Sequence, residues 1–557
     1  MCHTLAVNQR IDHTLRGSWT SAPAAEAHLP PHALRWLRTR TGLGTAITPA
    51  APGSVLAVGD SQLGAGARAA LVDVVGEAQV LVDRDSRLGR AGGLSYVDLM
   101  RRRGAGELDV PDAVVLPADP EQVQRVLEVC VEHDIAVVPF GGGTSVVGGV
   151  NALRGNKSAV ISLDLVHLDQ LVSVDPISRT AVFRAGVRAP DAERLLAAHG
   201  FTLGHFPQSF ERATLGGFAV TRSSGQASAG YGRFEEMVIG VRMATPQGEM
   251  RLGGVPASAA GPDLKRLVIG SEGLFGVVTE LTLRVRPAPR VKHYEGFVLD
   301  GWERAADAVR ELAQGKALAD VTRLSDVDET EVSFELSGGW KVKALKAYLR
   351  ARGVAEPCML VLGWETGSPR ELATRRAAAL SKLKRFRPVA LGRALGETWR
   401  KGRFNGPRQR DVLLDAGVCV ETLETAATWN DLTALRTAVR GALIDSLGAQ
   451  GKSPVVMCHI SHAYETGASL YFTTLNPRSA EDPLGQWQRA KVAACEAIVR
   501  HSGTISHHHA VGVDHAPWLG AEIGDLGLEV LRAVKQRLDP TGVLNPGKLV
   551  GDAKPRP

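Results

Sequence analysis

Three adjacent histidines near the C-terminal end are the residues of this sequence best suited to acid–base chemistry. The segment 506–512 reads Ser-His-His-His-Ala-Val-Gly, and imidazole changes its charge near neutral pH. Metal binding is one interpretation, but neighbouring residues of a strand or helix point in different directions, and no His-Glu-x-x-His motif is present. A structural or solvent-exposed histidine tract is another. We favour a protonatable cluster at a reaction site and expect no metal.

A second chemically rich segment covers residues 458–472, Cys-His-Ile-Ser-His-Ala-Tyr-Glu-Thr-Gly-Ala-Ser-Leu-Tyr-Phe. It predicts a pair of strands with a bulge at Gly467. The Tyr464 hydroxyl can donate and accept a hydrogen bond, so it suits proton transfer, although a tyrosine here could equally anchor a core.

Three glycine-rich segments predict a loop system that binds phosphate. Residues 139–145, Pro-Phe-Gly-Gly-Gly-Thr-Ser, follow the apolar run 135–138, and the segments 214–217 and 270–276 follow at domain-scale spacing. Glycine tolerates positive φ angles and lets backbone N–H groups approach a pyrophosphate closely. The pattern is neither a Walker loop nor a Rossmann fingerprint. Together the three segments indicate a dinucleotide that lies along a domain.

Length and composition limit the class of protein. A chain of 557 residues should divide into two or three domains, and 44% hydrophobic with 22% charged residues is typical of a globular protein. The net charge of +6 comes without basic runs interleaved with aromatics, so we expect no nucleic-acid partner. The six cysteines are scattered, which favours a reducing compartment. No secretion signal or membrane-spanning run is apparent, so we expect a cytoplasmic protein.

Local signals divide the chain. Asp119 and Pro120 predict a helix start between the short strand 111–117 and the strand that enters the first glycine loop. Strand patterns continue to about residue 285, and Pro287-Ala288-Pro289 marks a boundary. We therefore expect an N-terminal region over 1–110, a cofactor domain over 111–290, a cap domain over 291–525 and a C-terminal segment over 526–557.

The glycine segments resemble a known cofactor domain. Residues 139–145, 208–214, 214–217, 221–225 and 270–278 are similar in order and spacing to the FAD domain of the vanillyl-alcohol oxidase and p-cresol methylhydroxylase type. The resemblance implies an α+β fold: a two-subdomain FAD-binding PCMH-type domain, an α/β cap domain for the substrate, and a C-terminal segment that returns to the FAD domain. Because the first loop contains no histidine, we expect noncovalent FAD.

The same resemblance assigns cofactor contacts to residues of these segments. They are Pro139, Phe140, Gly141, Gly142, Gly143, Thr144, Ser145, Gln208, Ser209, Thr214, Gly216, Gly217, Thr221, Arg222, Ser223, Ser224, Glu272, Gly273, Leu274, Phe275, Gly276, Val277 and Val278.

The segments outside the FAD domain resemble a narrower family, the alkyl-dihydroxyacetonephosphate synthases of ether-lipid synthesis. Residues 464–468, Tyr-Glu-Thr-Gly-Ala, and 506–512 are similar to that family's tyrosine strand and its Ser-His-His-His-Gly-Val-Gly segment. Residues 410–415 match its Arg-Asp segment, and the resemblance extends from about residue 90 to 548. Ala510 departs from the family's glycine, and residues 513–516 replace a basic stretch, which reduces the positive charge expected near the site.

This resemblance implies that the acyl chain of acyl-dihydroxyacetonephosphate is exchanged for a long-chain alcohol, without net oxidation and with the flavin as a covalent partner. His507, His508 and His509 are then candidates for the base and for stabilising the substrate oxygen, and Tyr464 for the acid–base partner. Arg410 is the candidate for binding the phosphate. The partners implied are the lipid phosphate and the alcohol. We also consider transient peripheral membrane contact and a homodimer.

Two other interpretations stay open. The tail 539–548, Asp-Pro-Thr-Gly-Val-Leu-Asn-Pro-Gly-Lys, resembles FAD-linked dehydrogenases of 2-hydroxy acids such as D-lactate or glycolate. Those enzymes usually show Gly-Glu-His-Gly where this chain has its histidines. A flavin-free binding protein on the same scaffold is the third interpretation, and the intact glycines argue against it, since they cost backbone entropy.

Overall fold

The computed structural model describes residues 11, 13, 29–46, 55–448 and 451–551. The predicted N-terminal region 1–110 therefore lies partly outside the described residues, as do Cys2 and the end of the predicted C-terminal segment. The first described elements, besides the 3₁₀ helix Glu77–Gln79, are α1 (Pro31–Thr41), α2 (Ala65–Val75), β1 (Val80–Leu81), α3 (Arg84–Gly89) and α4 (Tyr96–Arg101).

The FAD-binding part contains two larger sheets and one sheet of two short strands. The first sheet has the order β1-β2-β4-β3, in which β2, β4 and β3 are parallel and β1 pairs with β2 in the antiparallel direction. The second sheet is antiparallel and has the order β5-β6-β10-β8-β9. The elements are β2 (Ala113–Val115), α5 (Pro120–Glu132), β3 (Ile135–Phe140), β4 (Ala159–Asp164), β5 (Leu171–Asp175), β6 (Thr180–Arg184), α6 (Ala189–Ala197), β7 (Phe201–Thr202), α7 (Leu215–Val220), α8 (Ser228–Tyr231), α9 (Phe234–Met237), β8 (Val238–Thr245), β9 (Gly248–Gly253), α10 (Lys265–Val268), β10 (Val277–Arg284) and β11 (Arg286–Pro287).

The cap is built on a seven-stranded antiparallel sheet with the order β15-β12-β14-β13-β17-β18-β16. Besides the 3₁₀ helix Lys384–Phe386, its elements are β12 (Val291–Asp300), α11 (Trp302–Gln314), β13 (Val321–Ser325), α12 (Val327–Ser337), α13 (Gly339–Ala351), β14 (Pro357–Thr366), α14 (Pro369–Leu383), β15 (Val389–Leu391), α15 (Gly392–Gly402), α16 (Gly406–Asp415), β16 (Val418–Thr428), α17 (Leu432–Leu447), β17 (Val455–Ile460), β18 (Gly467–Pro477) and α18 (Pro483–Arg500).

Local signals explain why the predicted strand–helix–strand unit forms. The Asp119 side chain accepts a hydrogen bond from the Gln122 N–H at 2.7 Å, and Pro120 occupies the first turn of α5. Val123, Val126 and Leu127 form the buried face of that helix. The helix therefore returns the chain to β3, which ends at the first glycine loop.

The last helix, α19 (Ala516–Leu538), leads to a tail that pairs with the FAD-binding part. The Val137 N–H donates to the Val543 carbonyl at 2.8 Å, and the Asn545 N–H donates to the Val137 carbonyl at 2.8 Å. The tail thus lies beside β3, and the expected return of the C-terminal segment is confirmed. The domain boundaries near residues 110, 290 and 525 stay a prediction.

Helix α11 is amphipathic, and its apolar face lies toward the cap core. Trp302, Ala306, Val309 and Leu312 are buried in the cap core, so they pack against this protein's own sheet. Among the described residues, no helix is both long and apolar enough to cross a bilayer. Cys130, Cys358, Cys419, Cys458 and Cys495 are buried free thiols.

Candidate active site

A cavity of about 540 Å³ lies between the glycine loops and one face of the cap sheet. Side chains alternate between the two faces of a strand. Alternate residues in the central parts of β17, β18 and β16 accordingly line the cavity. The cavity-facing residues on these strands are Met457, His459, Tyr471, Thr473, Leu475, Val420 and Thr422.

The glycine loop fits against its neighbour only because it lacks side chains. A Cβ atom on Gly142 would lie 2.7 Å from the Ala213 Cα and would overlap the Arg212 carbonyl oxygen, and Gly143 has a φ of +62°. Residues 139–145 and Thr214 therefore meet at one wall of the cavity with exposed backbone. Such a wall suits the pyrophosphate of a dinucleotide, so the residues present fit FAD.

Most of the predicted cofactor residues line this cavity. They are Pro139, Phe140, Gly141, Gly142, Gly143, Thr144, Ser145, Gln208, Ser209, Thr214, Gly216, Gly217, Thr221, Ser223, Ser224, Glu272, Gly273, Gly276, Val277 and Val278. Three are placed elsewhere. Arg222 forms an ion pair with Glu235, and Leu274 and Phe275 pack in an apolar cluster with Ile505.

Glu272 joins the third glycine segment to the histidine segment. Its carboxylate accepts hydrogen bonds from the backbone N–H groups of Val511 and Gly512, both at 2.8 Å. Burial raises the pKa of Glu272 to about 7, although these two N–H groups favour the ionised form. The carboxylate therefore fixes the chain immediately after the histidines.

Two of the three histidines converge on one buried carboxylate, Glu424 of β16. The Nδ1 atom of His507 lies 3.4 Å from the Glu424 Oε1 atom, and the Nδ1 atom of His508 contacts its Oε2 atom. His462 Nδ1 lies 3.9 Å from Oε1. The expectation that adjacent histidines diverge was wrong, because residues 506–510 form a loop whose dihedral angles do not follow strand or helix periodicity.

Some residues of the histidine cluster line the main cavity, and others lie behind them. His508, His509 and His462 line the main cavity. Tyr464 instead borders a separate cavity of about 420 Å³, and its hydroxyl lies 2.7 Å from the His507 Nε2 atom. The predicted acid–base residues are thus brought together, with Tyr464 and His507 behind the rings that reach the cavity.

Burial keeps most of these rings neutral. It lowers the pKa of His507 and His462, and it lowers that of His509 to about 3. Burial alone would raise the pKa of Glu424, but the His508 and His507 rings outweigh it and hold that pKa well below its usual range. The cluster therefore combines His507, His462 and His509, whose burial favours the neutral ring, with a carboxylate whose ionised form is favoured.

Two arginines supply positive charge to the cavity wall. Arg410, predicted to bind phosphate, lies 3.5 Å from the Glu421 carboxylate and donates to the Leu94 carbonyl. Arg323 donates to Glu329 at 2.7 Å, and its Nη2 lies 3.0 Å from the His459 Nδ1 atom. Both arginines line the cavity.

Sequence analysis gave no role to Glu424, His462 or Arg323. Strand alternation from Val420 and Thr422 would have placed Glu424 on the cavity face, but nothing local showed which face that was. The ligand atoms of Glu424, His462, His507 and His508 all lie within 4.8 Å of one another. This spacing would also accommodate a cation, so the absence of a metal stays a prediction.

We predict that Gly142→Ala prevents FAD binding. The added methyl group must displace residues 212–213, which form part of the same cavity wall. Flavin absorbance per protein should fall at least tenfold, while Gly441→Ala, whose Cβ has open space in α17, should retain full flavin. Stoichiometric flavin in Gly142→Ala would contradict this account.

We predict that Glu272 makes the protein less stable as the pH rises. Its folded pKa, about 7, is above the usual 4.5, so the folded state holds this proton more tightly and stability is lost between about pH 4.5 and pH 7. The contribution amounts to about 3 kcal/mol at most. Thermal unfolding of wild type and Glu272→Gln should be measured between pH 5 and 8. As the pH rises, the melting temperature of the wild type should fall relative to that of the variant. Melting temperatures that change with pH in the same way in both proteins would refute this prediction.

Comparison with known proteins was made with family models, protein sequences and solved structures. A model described as an FAD binding domain matches residues 111–253, and one described as the C-terminal domain of FAD linked oxidases matches 288–549. FAD is therefore the cofactor.

Several of the similar sequences are alkyldihydroxyacetonephosphate synthases. The alkyldihydroxyacetonephosphate synthase of Trypanosoma brucei brucei is 33% identical, over 86% of this chain and 80% of that protein. The Dictyostelium discoideum synthase is 30% identical, over 86% of this chain and 79% of that protein. A solved alkyldihydroxyacetonephosphate synthase structure aligns with a TM-score of 0.80 at 26% identity, covering 92% of both chains. Together with the FAD cradle and the histidine cluster, these matches show that this chain is an FAD-linked enzyme of the alkyldihydroxyacetonephosphate synthase family.

Proposed function

We propose that this enzyme exchanges the acyl chain of an acyl-dihydroxyacetonephosphate for a long-chain alcohol. The observation that carries this proposal is the composition of one cavity, in which the FAD cradle, the histidine cluster and a long apolar surface meet. A lipid with a phosphate head needs all three. A small hydroxy acid has no use for the apolar part.

The apolar surface comes mainly from two helices. Helices α1 and α12 face the inner side of the cap sheet, and α1 belongs to the N-terminal region to which sequence analysis gave no function. The apolar lining residues are Leu34, Trp36, Leu37, Val332, Leu336, Leu413, Val420, Met457 and Leu475. Each methylene group transferred from water to such a surface gains about 0.8 kcal/mol. A long alkyl chain would therefore bind tightly along it.

The polar end of the substrate fits the arginine side of the cavity. Arg410 presents a planar guanidinium, which suits two parallel hydrogen bonds to phosphate oxygens. Its contacts with Glu421 and the Leu94 carbonyl fix its orientation. Arg323 provides a second positive charge on the same wall.

The cluster supplies the proton transfers that the exchange needs. FAD, when bound, provides the covalent partner for the carbon skeleton. His508 or His509 takes the proton next to the ketone, because both rings reach the cavity. The ester C–O bond breaks and the fatty acid leaves. The alcohol oxygen then forms the new C–O bond to the carbon that lost the fatty acid. The proton taken in the first step returns to this carbon, and the alcohol's proton passes to the freed ring nitrogen of the cluster, with the His507–Tyr464 pair behind it.

The decisive experiment is anaerobic incubation of the flavoprotein with palmitoyl-dihydroxyacetonephosphate and hexadecanol, followed by mass spectrometry. We expect an ether-linked product, released palmitate and flavin that ends oxidised. Noncovalent FAD should appear free in the supernatant after denaturation. Absence of the ether, together with bleaching of the flavin by D-lactate or glycolate, would replace this proposal with the dehydrogenase.

The matched variant for this assay is Leu336→Trp. A larger side chain in α12 narrows the apolar surface, so the KM for hexadecanol should rise at least tenfold while the KM for a short alcohol changes little. Equal effects on both alcohols would mean that the alkyl chain binds elsewhere.

We propose that the surface of α13 makes transient contact with anionic membranes. Trp340 is 75% exposed and Tyr348 43% exposed, and Lys341 and Lys343 are also on the exposed part of the helix. Aromatic rings beside lysines are typical of helices that lie on a bilayer interface. Helix α13 directly follows α12, whose Val332 and Leu336 line the cavity.

We expect the protein to sediment with vesicles of phosphatidylcholine and phosphatidylserine at low salt and to be released at high salt. The double variant Trp340→Ser and Lys343→Glu should lose most of this binding, since it removes an anchor and reverses a charge. Arg304→Glu on α11 is the control, because α11 packs on the cap core. Equal binding of all proteins would refute the proposal. The homodimer stays a prediction.

A further inference from the structure

Glu424 is a buried anion in the cap whose polar environment is unusual. Its side chain is 0% exposed, and it lies on the same face of β16 as Val420 and Thr422, which line the cavity. Among the described residues, its ion-pair partners are the rings of His462, His507 and His508, with no lysine or arginine. An ionised carboxylate withdrawn from water needs donors, so these rings must supply N–H groups.

The three rings do not contribute equally. His462 already uses both nitrogens elsewhere. Its Nε2–H donates to the Gly225 carbonyl at 3.0 Å, and its Nδ1 atom accepts from the Ser461 hydroxyl at 2.9 Å. The ring nitrogens that face Glu424 therefore belong to His507 and His508, and that of His508 is the nearer. Their Nδ1 atoms lie 3.2 Å apart, within hydrogen-bonding distance, so one of them can carry a proton that the other accepts.

The other polar residues around Glu424 do not replace the two histidines as its partners. Tyr471, the cross-strand partner of Glu424, lies with its ring 6.4 Å from that of His508, and burial raises its pKa to about 12, so it stays neutral. The Arg233 guanidinium is directed to the His507 carbonyl, at 2.8 Å. His509 packs edge-on against Tyr471.

If the proton of a neutral histidine ring is held on Nδ1, the Nε2 atom of that ring can only accept a hydrogen bond. A neutral imidazole carries its proton on one nitrogen only, and the other then accepts. The Nε2 atom of His507 lies 2.7 Å from the Tyr464 hydroxyl, which can donate or accept. The Nε2 atom of His508, on a ring that lines the cavity, is left as a proton acceptor toward the substrate.

We propose that Glu424 is a positioning residue that holds His508 in the Nδ1–H tautomer and so makes its Nε2 atom the proton acceptor of the site. The logic matches that of a carboxylate behind a catalytic histidine, where loss of the carboxylate leaves the ring in place but with its proton on the wrong nitrogen. The consequence for turnover rests on the proposed synthase function. The position of the ring proton does not depend on that function.

The test uses the FAD-loaded protein with ¹⁵N-labelled histidine rings. Nitrogen shifts report which ring nitrogen carries the proton, and His508→Asn assigns the His508 signals. We expect Nδ1–H in the wild type and Nε2–H in Glu424→Gln, since the amide can donate to Nδ1 instead of accepting from it. An Nε2–H ring in the wild type, or the same tautomer in both proteins, would overturn the proposal.

Turnover provides the second readout. Glu424→Gln should lower kcat at least ~100-fold, the range of a lost acid–base contribution, with the KM and the flavin content within threefold of the wild type. Glu424→Asp keeps a carboxylate and should recover most of kcat. Asp320→Asn removes another buried carboxylate of the cap, one paired with Arg375, and should cost stability without lowering kcat.

Elemental analysis tests the competing explanation, in which Glu424 binds a metal ion. A stoichiometric divalent metal that is present in the wild type and lost in Glu424→Gln would make Glu424 a metal ligand and overturn the proposal. We expect neither protein to carry one. Because the tautomer measurement needs no substrate, a wild type that makes no ether would count against the proposed function alone.

Discussion

The Glu424 carboxylate is removed from water and faces imidazole rings instead of a cation. Removing an ionised carboxylate from water costs several kcal/mol unless hydrogen-bond donors replace the solvent. The loop that carries His507 and His508 must therefore lie against β16 for the cap to fold around this charge. That single requirement places the histidine rings at the cavity, next to the glycine loops.

The histidine loop is also held from the FAD side. Glu272 binds the backbone N–H groups of Val511 and Gly512, and the Val513 N–H donates to the Val147 carbonyl at 2.9 Å. The Asn545 side chain in the C-terminal tail donates to the Glu272 carbonyl at 2.6 Å. These hydrogen bonds connect the glycine loops, the tail and the histidine loop, so they fix the position of the imidazoles relative to the residues that would hold FAD.

The local sequence predicted the structure correctly where short-range interactions determine it. The cap of α5 and its apolar face predicted the strand–helix–strand unit, and the glycines predicted the loop that follows. It was a poor guide to the histidines. Their divergence was expected from strand periodicity, whereas the loop lets His507 and His508 converge on a residue more than eighty positions away. A contact of that sequence separation leaves no periodic trace in either segment.

The sequence by itself determined the fold class, the FAD cradle and the family, because these depend on glycines, caps and motif order that act locally. Only the tertiary structure decided which groups reach the cavity. It placed His508 and His509 at the cavity, put Tyr464 behind them, and brought α1 to the apolar wall. The physical reason is that side-chain alternation fixes two faces for each strand, but burial against helices selects the face that meets the substrate.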